Sequence, residues 1–134
     1  MELPIKVGIS PTLGIRGLIA ARDIRKGEVI ERCPVVFIDS RQTDLVQQTV
    51  FGKFWFEWNK RTICMPLGYG GLYNHSYRPN AKYHWDYRNR RIVFSALKGI
   101  RKGEELCVNY NGEPDDDSEV DAHHVDRART AESL

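Results

Sequence analysis

Residues 72–83 read LYNHSYRPNAKY and hold the densest polar chemistry of the chain. His75, one of four histidines, sits between Asn74 and Ser76, just ahead of a Pro79-Asn80 step that reads as a turn. Three roles are open to Asn74-His75-Ser76: a catalytic centre, a metal site, or a polar knot that holds the backbone in shape. The residues around it have to decide.

The chain has 134 residues, 41% of them hydrophobic and 10% aromatic, which fits one globular domain with a real core. The formal charge of +2 hides an asymmetry. Residues 1–110 carry 18 Lys+Arg against 10 Asp+Glu, whereas residues 111–134 carry 2 against 8. A basic body thus carries an acidic tail, expected to be solvated and partly disordered, or else to lie over the body or attract a basic partner. The dibasic steps Arg25-Lys26, Lys60-Arg61, Arg90-Arg91 and Arg101-Lys102 are spread along the sequence, so no direct nucleic-acid contact is expected.

Cys33, Cys64 and Cys107 lie 31 and 43 residues apart, too far for a zinc knuckle, and no metal site is expected. Their apolar neighbours predict buried thiols in a reducing compartment. No apolar run suits a signal peptide or a membrane span. The expected location is cytoplasmic or nuclear, not secreted and not on a membrane.

Strand signals dominate. Gly17–Ala20, Val29–Ile38, Ile63–Met65, Ala81–Trp85, Arg91–Leu97 and Leu106–Tyr110 read as strands, with Asp86–Arg90 as a hairpin turn. Pro34 suggests a strand edge or a kink between two strands. In Phe51–Asn59 the alternation places Phe54, Phe56 and Trp58 on one strand face. The only helical window is Arg41–Thr49, with Ser40 as its cap. A mostly β domain of many short strands with little helix follows. One phrase recurs: Ile24-Arg25-Lys26-Gly27-Glu28 returns 76 residues later as Ile100-Arg101-Lys102-Gly103-Glu104. Each copy reads as a glycine turn between strands, either a duplicated device or convergence on a common turn.

Four pieces together resemble a SET domain, the β-clip fold of protein-lysine methyltransferases. They are Leu13–Ala20, Ala21–Ile30, Asn74-His75-Ser76 with Pro79-Asn80, and Gly103-Glu104-Glu105-Leu106 with Asn109-Tyr110-Asn111-Gly112. The last two match the family's N-H-S-x-x-P-N and G-E-E-L-x-x-x-Y-x-G. The resemblance covers roughly residues 5–112, leaving 113–134 as the acidic tail, and the compact viral and bacterial members are the most similar. Where the family usually has a glycine two places before Gly17, this chain has Ile15.

The resemblance implies several small sheets and a C-terminal segment that threads under a loop, with the Asn74-His75-Ser76 segment and Tyr110 meeting at the active site. It implies S-adenosylmethionine as the methyl donor, held by Arg16, Gly17, Leu18, Asn74, His75 and Tyr110. His75 is then neither metal ligand nor general base, while Ser76 and Asn80 fix the turn. Tyr110 becomes the catalytic tyrosine, and Tyr83, Phe54 and Val108 line a lysine channel, with Tyr83 and Val108 suggesting monomethylation. The implied substrate is a protein with a target lysine, histone-like or another basic or cytosolic protein, and a homodimer is allowed by analogy. Nothing aromatic follows Tyr110, so what closes the cofactor side is open. Two other classes stay in view: a SET-like binding module without catalysis, and a small β-clip domain for carbohydrate or ice, which leaves Asn74–Asn80 unexplained.

Overall fold

The computed structural model describes residues 2–120. Nine strands form two sheets, and no element among the described residues is a long helix. In the five-stranded sheet, β7 (Ala81–Asp86) and β8 (Arg91–Ala96) form the expected hairpin, in register from Ala81↔Ala96 to Asp86↔Arg91. Asp86 fixes the turn, accepting from the Asn89 amide and pairing with Arg91 at 2.8 Å, while Arg90 takes the left-handed conformation (φ 54°). β8 is buried from Ile92 to Ala96, as a strand covered on both faces must be.

Strand β3 (Val29–Asp39) runs unbroken through Pro34. Its first half pairs with β8 on one side, and its second half pairs with β5 (Thr62–Pro66) on the other. Pro34 sits where the ladder changes neighbour, so the missing N–H interrupts neither half. Strand β4 (Phe56–Asn59) completes the order β4-β5-β3-β8-β7.

The second sheet has the order β1-β2-β9-β6 and holds the Asn74-His75 segment. Strand β1 (Ile5–Ile9) pairs with β2 (Arg16–Ala20). Sequence reading missed β1, because Val7 and Ile9 are exposed and no clean alternation marks it. The last strand, β9 (Glu105–Val108), is inserted between β2, antiparallel, and the two-residue β6 (Asn74-His75), parallel. This late strand between two earlier ones brings the C-terminal segment beside Asn74 and His75.

The window 41–49 is less helical than expected. Asp39, not Ser40, accepts the Arg41 amide and caps a 3-10 turn, and the α-helix α1 covers only Thr43–Gln47. A five-residue helix cannot hold itself without tertiary support. In the aromatic run, Phe56 and Trp58 share the buried face of β4, but Phe54 ends a preceding 3-10 turn and stands off that face.

The two copies of the repeated pentapeptide lie against each other and make matching backbone hydrogen bonds. Ile24 and Ile100 exchange both backbone hydrogen bonds, at 2.7 and 2.9 Å. Gly27 N–H donates to the Ala96 carbonyl and Ala96 N–H to the Glu28 carbonyl. On the other side, Gly103 N–H donates to Ala20 and Ala20 N–H to Glu104. Each turn glycine has positive φ, 83° at Gly27 and 92° at Gly103, with open space around it. Gly27→Ala and Gly103→Ala should therefore each lose about 1–2 kcal/mol through backbone strain alone. Urea unfolding checks this, with Gly99→Ala, equally uncrowded, as the neutral comparison.

Candidate active site

The site grows from the β6–β9 contact. Asn74 is buried and its Nδ2 donates to the Arg16 carbonyl at 3.0 Å and to Glu105 Oε2 at 2.8 Å. The other Glu105 oxygen accepts from the Ser10 hydroxyl. Thus one carboxylate ties the loop between β1 and β2, strand β6 and strand β9 together. Gly17 lies under this knot: a Cβ there would stand 2.5 Å from Glu105 Oε2 and 2.8 Å from Asn74 Nδ2. Only glycine leaves room for it.

Asn80 clamps the same strand from the far side. Its Oδ1 accepts the Cys107 amide at 2.9 Å and its Nδ2 donates to the Glu105 carbonyl at 2.8 Å. Ser76 fixes the intervening turn, as expected, by accepting the Arg78 amide, whereas Asn80 reaches across to β9 instead of serving the turn.

His75 Nδ1 accepts the Tyr110 backbone amide at 3.0 Å. In the neutral imidazole the proton therefore lies on Nε2. A ring nitrogen committed to a backbone N–H is poorly placed to ligate metal or to take protons from substrate. The Tyr110 hydroxyl donates to the Tyr73 carbonyl at 2.6 Å, and the two rings of His75 and Tyr110 lie 5.1 Å apart. With its proton given to Tyr73, that hydroxyl oxygen meets any substrate as an acceptor.

Of the other predicted residues, Leu18 is fully buried opposite Leu106, and Val108 is fully buried beside His75 in the parallel ladder. Tyr83 packs edge-on against Phe56 (5.1 Å) and directs its hydroxyl toward Gly112, 3.9 Å from where a Cβ there would lie. Arg16, Gly17, Asn74, His75 and Tyr110 thus converge, and Tyr83 points to the turn just past Tyr110. Phe54 packs on Gly71, in the glycine loop that leads to Asn74.

Beyond Gly112 (φ 97°) residues 113–120 fold back onto the site. Asn109 Nδ2 donates to the Asp116 carbonyl (2.6 Å), Asn111 Nδ2 to the Ser118 carbonyl (2.7 Å), and the Tyr77 hydroxyl to the same Ser118 carbonyl (3.1 Å). Val120 is buried with the main core. Tyr77 in turn meets His75 edge-to-face at 4.5 Å. The rest of the acidic tail, with His123-His124, lies outside the described residues.

Sequence reasoning missed the roles of Glu105, Ser10, Tyr73, Tyr77, Asn109 and Asn111. Glu105, Asn109 and Asn111 stood inside a quoted motif, so their place was visible while their partners were not. The three thiols are free. Burial pushes Cys64 and Cys107 up to about 12 and Cys33 higher still, which leaves no thiolate nucleophile at neutral pH.

A family model described as SET domain matches residues 15–111. The chain belongs to the SET domain family. A Schizosaccharomyces pombe protein named histone-lysine N-methyltransferase, H3 lysine-37 specific, is 31% identical over 96 residues. That match covers 71% of this chain and 65% of the relative's length. A Plasmodium falciparum protein described as a candidate histone methyltransferase is 32% identical in its crystal structure, with TM-score 0.65, over 81% of this chain and 98% of that one. The Chaetomium thermophilum ctPRC2 complex, solved in an autoinhibited conformation bound to S-adenosylmethionine, shares the fold at TM-score 0.68 and 23% identity, over 82% of this chain and 15% of that one.

Glu31, in β3, is a buried carboxyl group near the site. Burial raises its pKa above the ordinary 4.5, against the hydrogen bonds it accepts from Tyr73, the Tyr69 amide and Cys33. A raised folded-state pKa means the folded protein holds the proton more tightly than the unfolded chain does. Its contribution is therefore complete below pH ~4.5 and is lost as pH rises through the raised value. Glu31→Gln mimics the protonated form. The difference in stability between Glu31→Gln and wild type should shift in the variant's favour as pH rises from 4.5, which thermal unfolding across pH measures.

Proposed function

We propose that this protein is a protein-lysine N-methyltransferase that takes its methyl group from S-adenosylmethionine. The observation that carries this reading is the convergence of Asn74, His75 and Tyr110 around a two-residue parallel strand beside Gly17. When bound, S-adenosylmethionine supplies an electrophilic sulfonium methyl.

The chain's own groups fit such a ligand. Asn74 and His75 use their side chains internally, on Arg16, Glu105 and Tyr110, so their task toward a ligand falls on the backbone. Strand β6 is an edge of its sheet, with one row of backbone groups turned away from β9. These groups, with the Arg16-Gly17-Leu18 backbone, would hold the amino-acid and adenine portions. The folded-back segment 113–120, latched by Tyr77, Asn109 and Asn111, would close the cofactor side in place of a zinc-bound cysteine cluster.

On the substrate side the task is alignment and a neutral amine. Lysine has a pKa near ~10.4 in water, and enclosure between Tyr83 and Tyr110 disfavours its charged form. The Tyr110 oxygen, its proton donated to Tyr73, accepts from the amine and directs the lone pair toward the methyl. The Tyr83 hydroxyl near Gly112 narrows the space for a second methyl, which favours monomethylation. A histone-like basic protein is the proposed substrate class. Its supports are the relative named for H3 lysine-37 and the exposed carboxylates of Glu113, Asp115, Asp117 and Glu119 beside the site.

Titration calorimetry with S-adenosylmethionine tests the pocket. Wild type is expected to bind, Asn74→Ala to bind at least about tenfold more weakly once its two buried hydrogen bonds go, and Tyr110→Phe to bind within a few-fold. With histone H3 as methyl acceptor, Tyr110→Phe should lower kcat on the order of a hundredfold. No binding by wild type would instead favour the non-catalytic binding module.

A further inference from the structure

Glu31 is buried, yet its described partners are all neutral. Tyr73 Oη donates to Glu31 Oε1 at 2.9 Å, the Tyr69 amide to Oε2 at 3.4 Å, and Cys33 also bonds to the carboxyl group. The loop between β5 and β6 wraps this group closely: a Cβ on Gly68, which has φ 77°, would lie 3.2 Å from Oε2. A buried carboxylate without a cation is costly to keep. A well-packed apolar side chain would serve the core better, so its presence calls for a use.

That use is visible in its partner Tyr73, 42 residues along the chain and next to Asn74. Tyr73 is fully buried, its ring stacked on Phe94 at 4.1 Å and 5°. Its side chain is held by Glu31, and its carbonyl is the acceptor for the Tyr110 hydroxyl at 2.6 Å. The two ends of Tyr73 thus join a buried carboxylate to the proposed catalytic hydroxyl. The link passes from side chain to backbone carbonyl, so it conducts no proton. It can only set position.

We infer that Glu31 is a positioning residue: by anchoring Tyr73, it fixes the carbonyl that orients the Tyr110 hydroxyl. This rests on Tyr110 acting in methyl transfer, and it adds a role for a pair that the reaction itself does not touch. A phenol bonded to a backbone carbonyl loses its alignment when that carbonyl drifts by a few tenths of an ångström, and reaction rates are sensitive to such displacement.

The test uses the full chain in three variants, Glu31→Gln, Tyr73→Phe and Glu31→Ala, read in two independent ways. The first is the NMR resonance of the Tyr110 ring and hydroxyl in protein with labelled tyrosine, assigned by its loss in Tyr110→Phe. The second is methyl transfer from S-adenosylmethionine to histone H3. Tyr73→Phe keeps the ring and the carbonyl and removes the phenol that bonds Glu31, and circular dichroism with thermal unfolding checks that it folds. It should move the Tyr110 resonance and lower kcat by roughly tenfold with KM within about twofold. Glu31→Gln, which can still accept from Tyr73, should retain most of the rate, and Glu31→Ala should match Tyr73→Phe. Adding Glu31→Gln to Tyr73→Phe should cost nothing further.

An unmoved Tyr110 resonance in Tyr73→Phe overturns the inference, as does a loss confined to KM. If the resonance moves while wild type leaves histone H3 unmethylated, the positioning link stands and the substrate reading fails instead.

Discussion

Two residues of parallel strand hold the candidate site of this molecule together. The pairing of Asn74 with Cys107 and His75 with Val108 is too short to be stable on its own, since a pair of that length makes few hydrogen bonds and closes a long loop. Side chains make up the difference. Glu105 gathers Ser10 and Asn74, Asn80 clamps the strand from behind, and His75 receives the amide of Tyr110. These contacts span 31, 95, 27 and 35 residues of sequence, so they hold only in the complete fold. The site and the topology are therefore one structure. Whatever seats Tyr110 also seats the last strand.

This arrangement explains why the polar residues of the motif are used inward. A histidine between asparagine and serine invites a catalytic reading, but its Nδ1 serves the backbone. The Asn74 amide likewise spends its donors on Arg16 and Glu105. With those atoms committed, the backbone of the same segment is held stiffly in place. Such preorganised groups suit a reaction in which alignment, and not acid–base power, is the main demand.

Much of this was legible in the sequence, and the reasons are physical. The hairpin of β7 and β8 was visible because alternation and a turn-forming Asp86 agreed. The duplicated pentapeptide was visible as a phrase, but only the Ile24–Ile100 contact shows that the copies face each other. Asn74, His75 and Tyr110 were singled out through motif resemblance, whereas Glu31 and Tyr73 were not. Their significance lies in a contact across 42 residues, which no local pattern encodes. Phe54 was misplaced because period-two alternation continued through a stretch that turns. Strand β1 was overlooked because an edge strand with exposed Val7 and Ile9 leaves no burial pattern to read.

In the proposed complex the cofactor lies against β2 and β6, beside Tyr110. Amide hydrogen exchange with and without S-adenosylmethionine tests it most directly. Protection is predicted to rise at residues 16–18, at 74–76 and at 110–120, with the β4–β5 hairpin unchanged. Protection that appears elsewhere, or none at saturating ligand, would contradict the site described for this fold.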